Sequence, residues 1–412
     1  MSNQINLNFF FDSSSRFNLG SSEFYKKNLQ KCLDASNKLD LEIKNQSNEI
    51  IKSFNINYQK KIKIKKNQLQ IKKNLLVIGM GGSSAGAKAL NGFLKKNIFF
   101  FDNYDPLYLS NFFKNNNLND FTIFVISKSG YTFETLAMFN LTYQHLLSIS
   151  VKDKINKNVV VVVENTNNPL HALAKKMNFQ IIEHNKNIGG RYSVFSETSM
   201  LLFDFDPILV ASSTDKVLAK LVKKNLEDHN SPIVNAALIM TLKEMQNIKF
   251  NINILYDYSL KNFSYWYHQL FSESLGKNDS AITPMTSICP KDHHSMMQLF
   301  IDGPRDKLFN IFAPGTSNCF DNFENLDLGI VEKIKPDDLL NYQFNALIKT
   351  FKEKQIPHRK ISIGIDEKNK DHNILELMAY NIVETIVLAY AQNINPYDQT
   401  AVEQIKINTF NF

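Results

Sequence analysis

Four short runs of large apolar side chains punctuate the first half of the chain: LLVIG at 75–79, NIFFFDN at 97–103, FTIFVIS at 121–127 and VVVVVE at 159–164. They show little alternation of apolar with polar residues, the pattern of strands buried on both faces of a parallel sheet. The segments between them, such as TFETLAMFNLTYQHLLS at 132–148, space their apolar residues as an amphipathic helix does. Strand, helix and strand in that order require right-handed crossovers and predict an α/β layered sandwich.

The pattern restarts after a helical stretch around 215–248. INILYDYS (252–259) reads as a strand and KNFSYWYHQLFSESLGK (261–277) as a helix. SAITPMTSI follows, then a helix from about His293, KLFNIFAP (307–314), ISIGID (361–366) and a long helix over 373–392. Two similar α/β halves are expected, 1–210 and 211–412, each with a helical segment at its terminus. A chain of 412 residues is long enough to give each half its own core.

Composition narrows the class. Hydrophobic residues make up 43% and charged residues 21%, as in soluble globular proteins. No run approaches the roughly 18 apolar residues of a membrane span, and the start MSNQINLNFFFDSSS lacks the layout of a secretory leader. Three scattered cysteines, Cys32, Cys289 and Cys319, argue against a disulfide framework and fit a reducing compartment. A cytoplasmic protein without a membrane partner is expected. The net charge of +7 invites a nucleic-acid reading. Its densest source, Lys60 to Lys73 with Ile62 and Ile64 interleaved, reads instead as a surface strand with lysines facing solvent, so no nucleic-acid partner is expected.

Two loops after strands suit an anion. GMGGSSAGAKAL (79–90) is a glycine-rich turn opening a helix, where backbone N–H groups and the helix dipole favour negative charge. Ser84 breaks the dinucleotide fingerprint, no Gly-Lys-Ser/Thr follows, and a purely structural turn would look the same. SKSGYTFET (127–135) adds the hydroxyls of Ser127, Ser129 and Thr132 and the charge of Lys128, a set suited to a phosphate monoester. The plainer reading is a helix cap at Ser129 or Thr132. Two such loops on one sheet favour a shared site, because ligands gather at the carboxyl ends of parallel strands. Arg191, presented by Gly189 and Gly190, can reach an anion or a developing oxyanion.

Groups that could move protons are less distinctive. Gln269 and Glu273, four residues apart, share a helix face, with Phe263, Trp266, Leu270 and Phe271 available to pack the other side. Read alone, Glu273 is an exposed charge on an amphipathic helix. DHHSMMQ (292–298) places His293 and His294 after a potential N-cap, Asp292; either could donate a proton, and neither has a partner at metal-chelating spacing. DQTAVEQIK (398–406) shows a capping box at Thr400 and Glu403, with Gln399 and Lys406 placed to face a ligand.

Taken in chain order, GMGGSSAG, SKSGYTFET, GGRYSVFS, ESLGK, DHHSMMQLFIDGP and QTAVEQIK resemble the phosphoglucose isomerase family, over about residues 75 to 406. The resemblance implies two sugar-isomerase (SIS) domains, each a parallel sheet flanked by helices in an αβα sandwich. It implies an aldose–ketose isomerase that interconverts glucose 6-phosphate and fructose 6-phosphate through a cis-enediol(ate), in glycolysis and gluconeogenesis, with neither metal nor organic cofactor. Glu273 then carries the proton between C2 and C1, and Arg191 faces the enediolate oxygens. His294, with Lys406, opens the sugar ring, reaching in from the neighbouring subunit of a homodimer. Gly82, Ser83, Ser127, Lys128, Ser129 and Thr132 cradle the phosphate, and Gln269 and Gln399 contact substrate. Tyr131, Thr400–Ala401 and His293 depart from the family pattern and bear on substrate range, including acceptance of mannose 6-phosphate. A non-catalytic sugar-phosphate sensor would need the loops but not Glu273, His294 and Lys406 together.

Overall fold

The computed structural model describes residues 6–9, 22–226, 228, 230–277, 281–315, 335–364 and 369–409. Its strands are β1 (Asn6–Phe9), β2 (Asn74–Ile78), β3 (Ile98–Phe101), β4 (Phe121–Ile126), β5 (Val159–Val163), β6 (Gln180–Glu183), β7 (Phe250–Leu255), β8 (Thr283–Ile288), β9 (Lys307–Phe312) and β10 (His358–Ser362). The chain divides into two compact units, Asn45–Ser212 and the combination of Met1–Lys44 with Ser213–Phe412.

In Asn45–Ser212 a parallel sheet runs in the order β3-β2-β4-β5-β6. Every residue of β4 and β5 is buried, which is why their sequences are continuously apolar. Leu76, Ile78, Ile123, Val125, Val161 and Val163 form a core with Met138, Phe139 and Leu146 of the Phe133–Ile149 helix. The short β6 is half-buried, so it carries little of that signal.

The other unit holds a five-stranded sheet in the order β1-β10-β9-β7-β8, parallel except for β1, which runs antiparallel to β10. The expected α/β class is therefore found in both units. The N-terminal elements depart from the expected division, because β1 and the Glu23–Lys44 helix group with the second sheet rather than the first. The Glu23–Lys44 helix buries Asn28, Cys32, Ala35, Ser36 and Leu39, one stripe at helical spacing. Cys32 Sγ lies 3.7 Å from Met240 Sδ, and Asn28 Nδ2 donates to Thr241 and Glu244. At the same helix's other end, Tyr390 donates to Glu42 at 2.6 Å.

A second correction concerns the lysine cluster. Residues Ile56–Asn67 form a helix, capped by the Asn55 side chain on Asn57 N–H, where a surface strand was expected. Two isoleucines two residues apart fall on different sides of a helix, and Ile62 is 3% exposed while Ile64 is 60% exposed. Lys63 pairs with Asp204, and Lys65 with Glu197 at 3.1 Å. The Lys370–Ala391 helix is long and apolar enough to cross a membrane by length and composition, but 94% of its apolar window is buried inside the protein. It is the central helix of its unit.

Candidate active site

The Asn45–Ser212 sheet explains why two anion-suited loops belong together. From β2 the chain winds outward to β3, then returns past β2 to β4, so the winding direction reverses between β2 and β4. Loops leaving the carboxyl ends of these two strands flank a topological switch point, the usual ligand crevice of an open parallel sheet. They are the GMGGSS and SKSGYT segments.

Within the second loop, Ser127 is buried and its Oγ lies 3.0 Å from Thr132 Oγ1, while Gly130 N–H donates to Ser127 Oγ. Thr132 occupies the N-cap of the Phe133–Ile149 helix without making a side-chain cap bond, so the plain capping reading fails there. Ser129 is exposed, and Tyr131 N–H donates to its Oγ. Gly130 has φ +71°, and a Cβ on it would stand 1.9 Å from Asn168 Oδ1; only glycine fits.

The first loop is pinned from another direction. A Cβ on Gly82 would fall 2.1 Å from the carbonyl carbon of Gly190, so the two glycines let backbone pack on backbone. Ser193 Oγ donates to both Gly82 O (3.0 Å) and Gly190 O (2.7 Å). This close approach brings Gly82 and half-buried Ser83 to the Gly190–Phe195 turn that carries Arg191. Arg191 is 1% exposed, with its guanidinium 5.1 Å from the Tyr192 ring centroid.

Lys128 Nζ lies 3.8 Å from Glu164 at the end of β5. Burial pushes the Lys128 ammonium below the ordinary lysine range; Glu164 pulls it back up, and the charge of Arg191 lowers it again. Two cations therefore feel each other at this end of the sheet, and an anion between them would relieve the repulsion. Glu164 was visible as the last letter of VVVVVE. His184, just past β6, is buried, and burial lowers its pKa, while Glu197 and Lys128 act on it in opposite senses.

In the other unit, the Lys261–Leu275 helix carries Gln269 and Glu273. Phe263, Trp266, Leu270 and Phe271 are all buried, as their spacing suggested. Below them runs a polar network that sequence reasoning did not find. Arg359, on β10, makes a fully buried pair with Glu384 (Nη1 to Oε1, 2.6 Å) and donates through Nε to Asn310. Asn310 donates to Asn251 and Asn253, which donate to Tyr267 and Ser264 of the helix. The lone asparagine of β9 carries no local sign of this; the signal was the Asn251-x-Asn253 pair of β7, alternate residues facing one side of a strand.

The network anchors one face and leaves Gln269 and Glu273 half-buried on another. Gln269 Nε2 donates to Glu273 Oε1 at 3.0 Å, while Gln269 Oε1 is buried without a hydrogen-bond partner among the described residues. Lys277, just past the helix, pairs with Asp398 at 2.5 Å and donates to Asn395 O. That ties the segment entering Gln399 to the helix end bearing Glu273. Lys406 falls on the Thr400–Thr409 helix, and its side chain lies outside the described residues.

His294 is not brought to Glu273 within this unit. The Lys261–Leu275 helix runs back from the end of β7 to the start of β8, and His294 follows the end of β8. The six residues of β8 therefore separate them, about 20 Å of strand. Asp292 is not a helix N-cap but an anchor for this turn, accepting from Ile288 N–H at 2.7 Å and from Ser287 and Ser295. A cleft of about 840 Å³ bounded by Lys31, Lys38, Lys243, Glu244 and Tyr390 contains none of the candidate side chains, and its mixed charges select no ligand class.

Comparison with known proteins identifies the family of the whole chain. The family model described as Phosphoglucose isomerase matches residues 42–288. The glucose-6-phosphate isomerase of Methanocaldococcus jannaschii is 32% identical over 81% of this chain and 82% of its own length. That of Campylobacter jejuni is 28% identical over 81% and 84%. Among solved structures, a hypothetical protein from Thermus thermophilus superposes with TM-score 0.81 at 21% identity, covering 98% of this chain and 99% of its own. A glucose-6-phosphate isomerase from Chlamydia trachomatis superposes with TM-score 0.72 at 16% identity, covering 100% and 88%. With the sequence match spanning well over half its length, the chain belongs to the phosphoglucose isomerase family.

Proposed function

We propose that the candidate residues of both units serve one event, the transfer of a proton between C2 and C1 of an open-chain hexose 6-phosphate. As a member of the phosphoglucose isomerase family, the chain is an aldose–ketose isomerase that interconverts glucose 6-phosphate and fructose 6-phosphate, a step of glycolysis and gluconeogenesis. The observation that carries the division of labour is the pair of loops at the β2/β4 switch point, with Lys128 and Arg191 beside them.

In this reading Ser127, Lys128, Ser129 and Thr132 hold the phosphate, with Gly82 and Ser83 shaping the wall against the Arg191 turn. Glu273 takes the proton from C2; the C1 carbonyl oxygen gains the electron pair and becomes the enediolate oxygen, beside Arg191. Returning that proton to C1, while the hydroxyl proton passes from O2 to O1, leaves the ketose and restores the carboxylate. Gln269 orients Glu273 and offers its unpartnered Oε1 to a substrate hydroxyl; Gln399 supplies a further contact. The separation of His294 from Glu273 along β8 supports a homodimer in which His294, with Lys406, opens the ring at the neighbouring subunit's site. In this scheme the carbon-bound proton moves on Glu273 and the ring-oxygen proton comes from His294, and a cytoplasmic setting fits the reaction.

Purified protein with a chelator present is expected to interconvert the two hexose phosphates. Absence of conversion by folded protein, or a requirement for added metal, would overturn the reading. Mixing Glu273→Gln protein with His294→Ala protein under subunit exchange is expected to restore activity if sites are shared. No recovery from exchanged dimers would sink the shared site.

A further inference from the structure

The adjacent histidines of the Lys291–His294 turn are treated oppositely by the fold. His293 is half-buried, and its Nε2 lies 2.6 Å from the Tyr256 hydroxyl, with the rings edge to face at a centroid distance of 5.6 Å. Tyr256 directly follows β7, the strand where this unit's sheet reverses its winding, between β8 and β9. Its hydroxyl also reaches the Gln343 carbonyl at 3.3 Å, and its ring packs edge-on against Phe344 at 5.3 Å. Both bonds are satisfied when Nε2–H donates to the phenol oxygen and the phenol donates to the carbonyl. Burial, and secondarily the charge of His294, push His293 below the ordinary histidine range, which suits a neutral ring.

His294 is exposed. Successive residues of a 3₁₀ turn point about 120° apart, so a ring fixed inward at one position directs its neighbour outward. The other flank of the turn is fixed by Asp292. Burial raises its carboxyl, but the bonds from Ile288, Ser287 and Ser295, helped by Lys291, hold it below the usual range and ionised. An anionic anchor on one side and a Tyr–His bond on the other leave the turn little freedom to rotate.

We infer that His293 is a positioning residue, which through its hydrogen bond to Tyr256 holds the turn so that His294 is presented to the ring oxygen of the sugar. The inference rests on the reading of His294 as the ring-opening group. Ring opening breaks the C1–O5 bond, puts a proton on O5 and releases one from O1. His294 supplies the first, and the second, released to solvent, balances it. An acid that swings through an angle of tens of degrees is aligned for only part of the time, and misplacement of about 1 Å costs up to about a hundredfold in rate.

The test uses full-length protein and two readouts on glucose 6-phosphate: anomer interconversion by exchange NMR, which reports ring opening, and the primary isotope effect on isomerisation of the 2-deuterated sugar. Tyr256→Phe and His293→Phe are expected to slow anomer interconversion about tenfold or more. The isotope effect should fall toward unity as ring opening becomes limiting, with KM little changed. His293→Gln, whose amide can still donate to the Tyr256 oxygen, should recover most of the loss even if the phenylalanine variants fold poorly. A general loss of folded protein would lower the rate and leave the isotope effect unchanged. Wild-type anomer interconversion and isotope effect in folded Tyr256→Phe would overturn the inference alone. Wild-type anomer interconversion in His294→Ala would overturn the role of His294 beneath it.

Discussion

The two sheets follow the same winding rule and use it differently. In Asn45–Ser212 the reversal between β2 and β4 is flanked by the glycine turn and the Ser-Lys-Ser loop. In the other unit the reversal between β7 and β9 is occupied by Tyr256, which holds His293, while Gln269 and Glu273 sit on the crossover helix at the far end of β8. Under the proposed function, the contrast follows what each task needs. Gripping a phosphate uses backbone N–H groups, small side chains and a fixed charge, all available at strand ends. Moving a proton needs one carboxylate aimed at one carbon, which a helix face held from beneath can provide.

If the division is right, its two halves fail in different ways. Glu273→Gln keeps the Gln269 contact and the shape of the helix face but removes the base. Isomerisation should fall by about three orders of magnitude or more, while an unreactive hexose-phosphate analogue binds nearly as before by calorimetry. Turnover near that of the unaltered protein would erase the contrast at its strongest point.

Acid should also tell the units apart. Each buries a histidine beside its sheet, His184 after β6 and His358 at the start of β10. Burial lowers both, and it carries His358 down to about 4 despite its bond to the Ile356 carbonyl. A histidine depressed in the folded state contributes stability that is fully present above pH 6.5 and is lost as pH falls toward 4. For His358 the loss amounts to about 3 kcal/mol over that window. Urea titrations between these pH values should show His358→Gln with a visibly flatter pH dependence than the unaltered protein. An unchanged slope would place the acid sensitivity elsewhere.

Gly82→Ala probes the cradle's packing rather than its chemistry. The new methyl would meet Gly190 backbone at 2.1 Å, and neither chain can yield without moving the Arg191 turn. Overpacking of this kind costs about 2 kcal/mol. The melting temperature should drop, and affinity for the analogue should drop with it, because Ser83 and Arg191 shift together. A loss of binding at full stability would show that Gly82 touches substrate directly.

How much of this could be read from the letters follows the same division. VVVVV and FTIFVI point to buried parallel strands because they are short, β-branched and aromatic, and a glycine-rich turn after a strand suits an anion by local chemistry but looks the same as a structural turn. The role proposed for Glu273 was legible only through the family motif. Its neighbours Tyr265 and His268 look like any amphipathic helix, and the Arg359–Glu384 pair that underlies it joins residues 25 positions apart. KIKIK misled because alternation over five residues fits a strand, whereas burial of Gln59 and Ile62 and the Asn55 cap select a helix. The attachment of the Glu23–Lys44 helix to the second sheet was invisible for a simpler reason: an amphipathic stripe shows that a helix packs, not on what.

The smallest expected effect is the most discriminating. Lys128→Met removes a cation whose side chain is about one-third exposed and already shared with Glu164 at 3.8 Å. A charge-assisted hydrogen bond to phosphate is worth about 1.5–3 kcal/mol, and exposure and sharing put Lys128 at the low end, about tenfold in affinity. The phosphate takes no part in the proton transfer, so Lys128 holds ground state and transition state alike. Uniform binding of this kind appears in KM and leaves kcat almost untouched. The KM difference between variant and unaltered protein should also shrink as salt is raised, because screening weakens the lost contact in the reference. A variant that loses kcat at constant KM would mean that Lys128 acts on the enediolate beside Arg191. The cradle would then be part of the proton-moving machinery, and the separation of tasks between the two sheets would no longer hold.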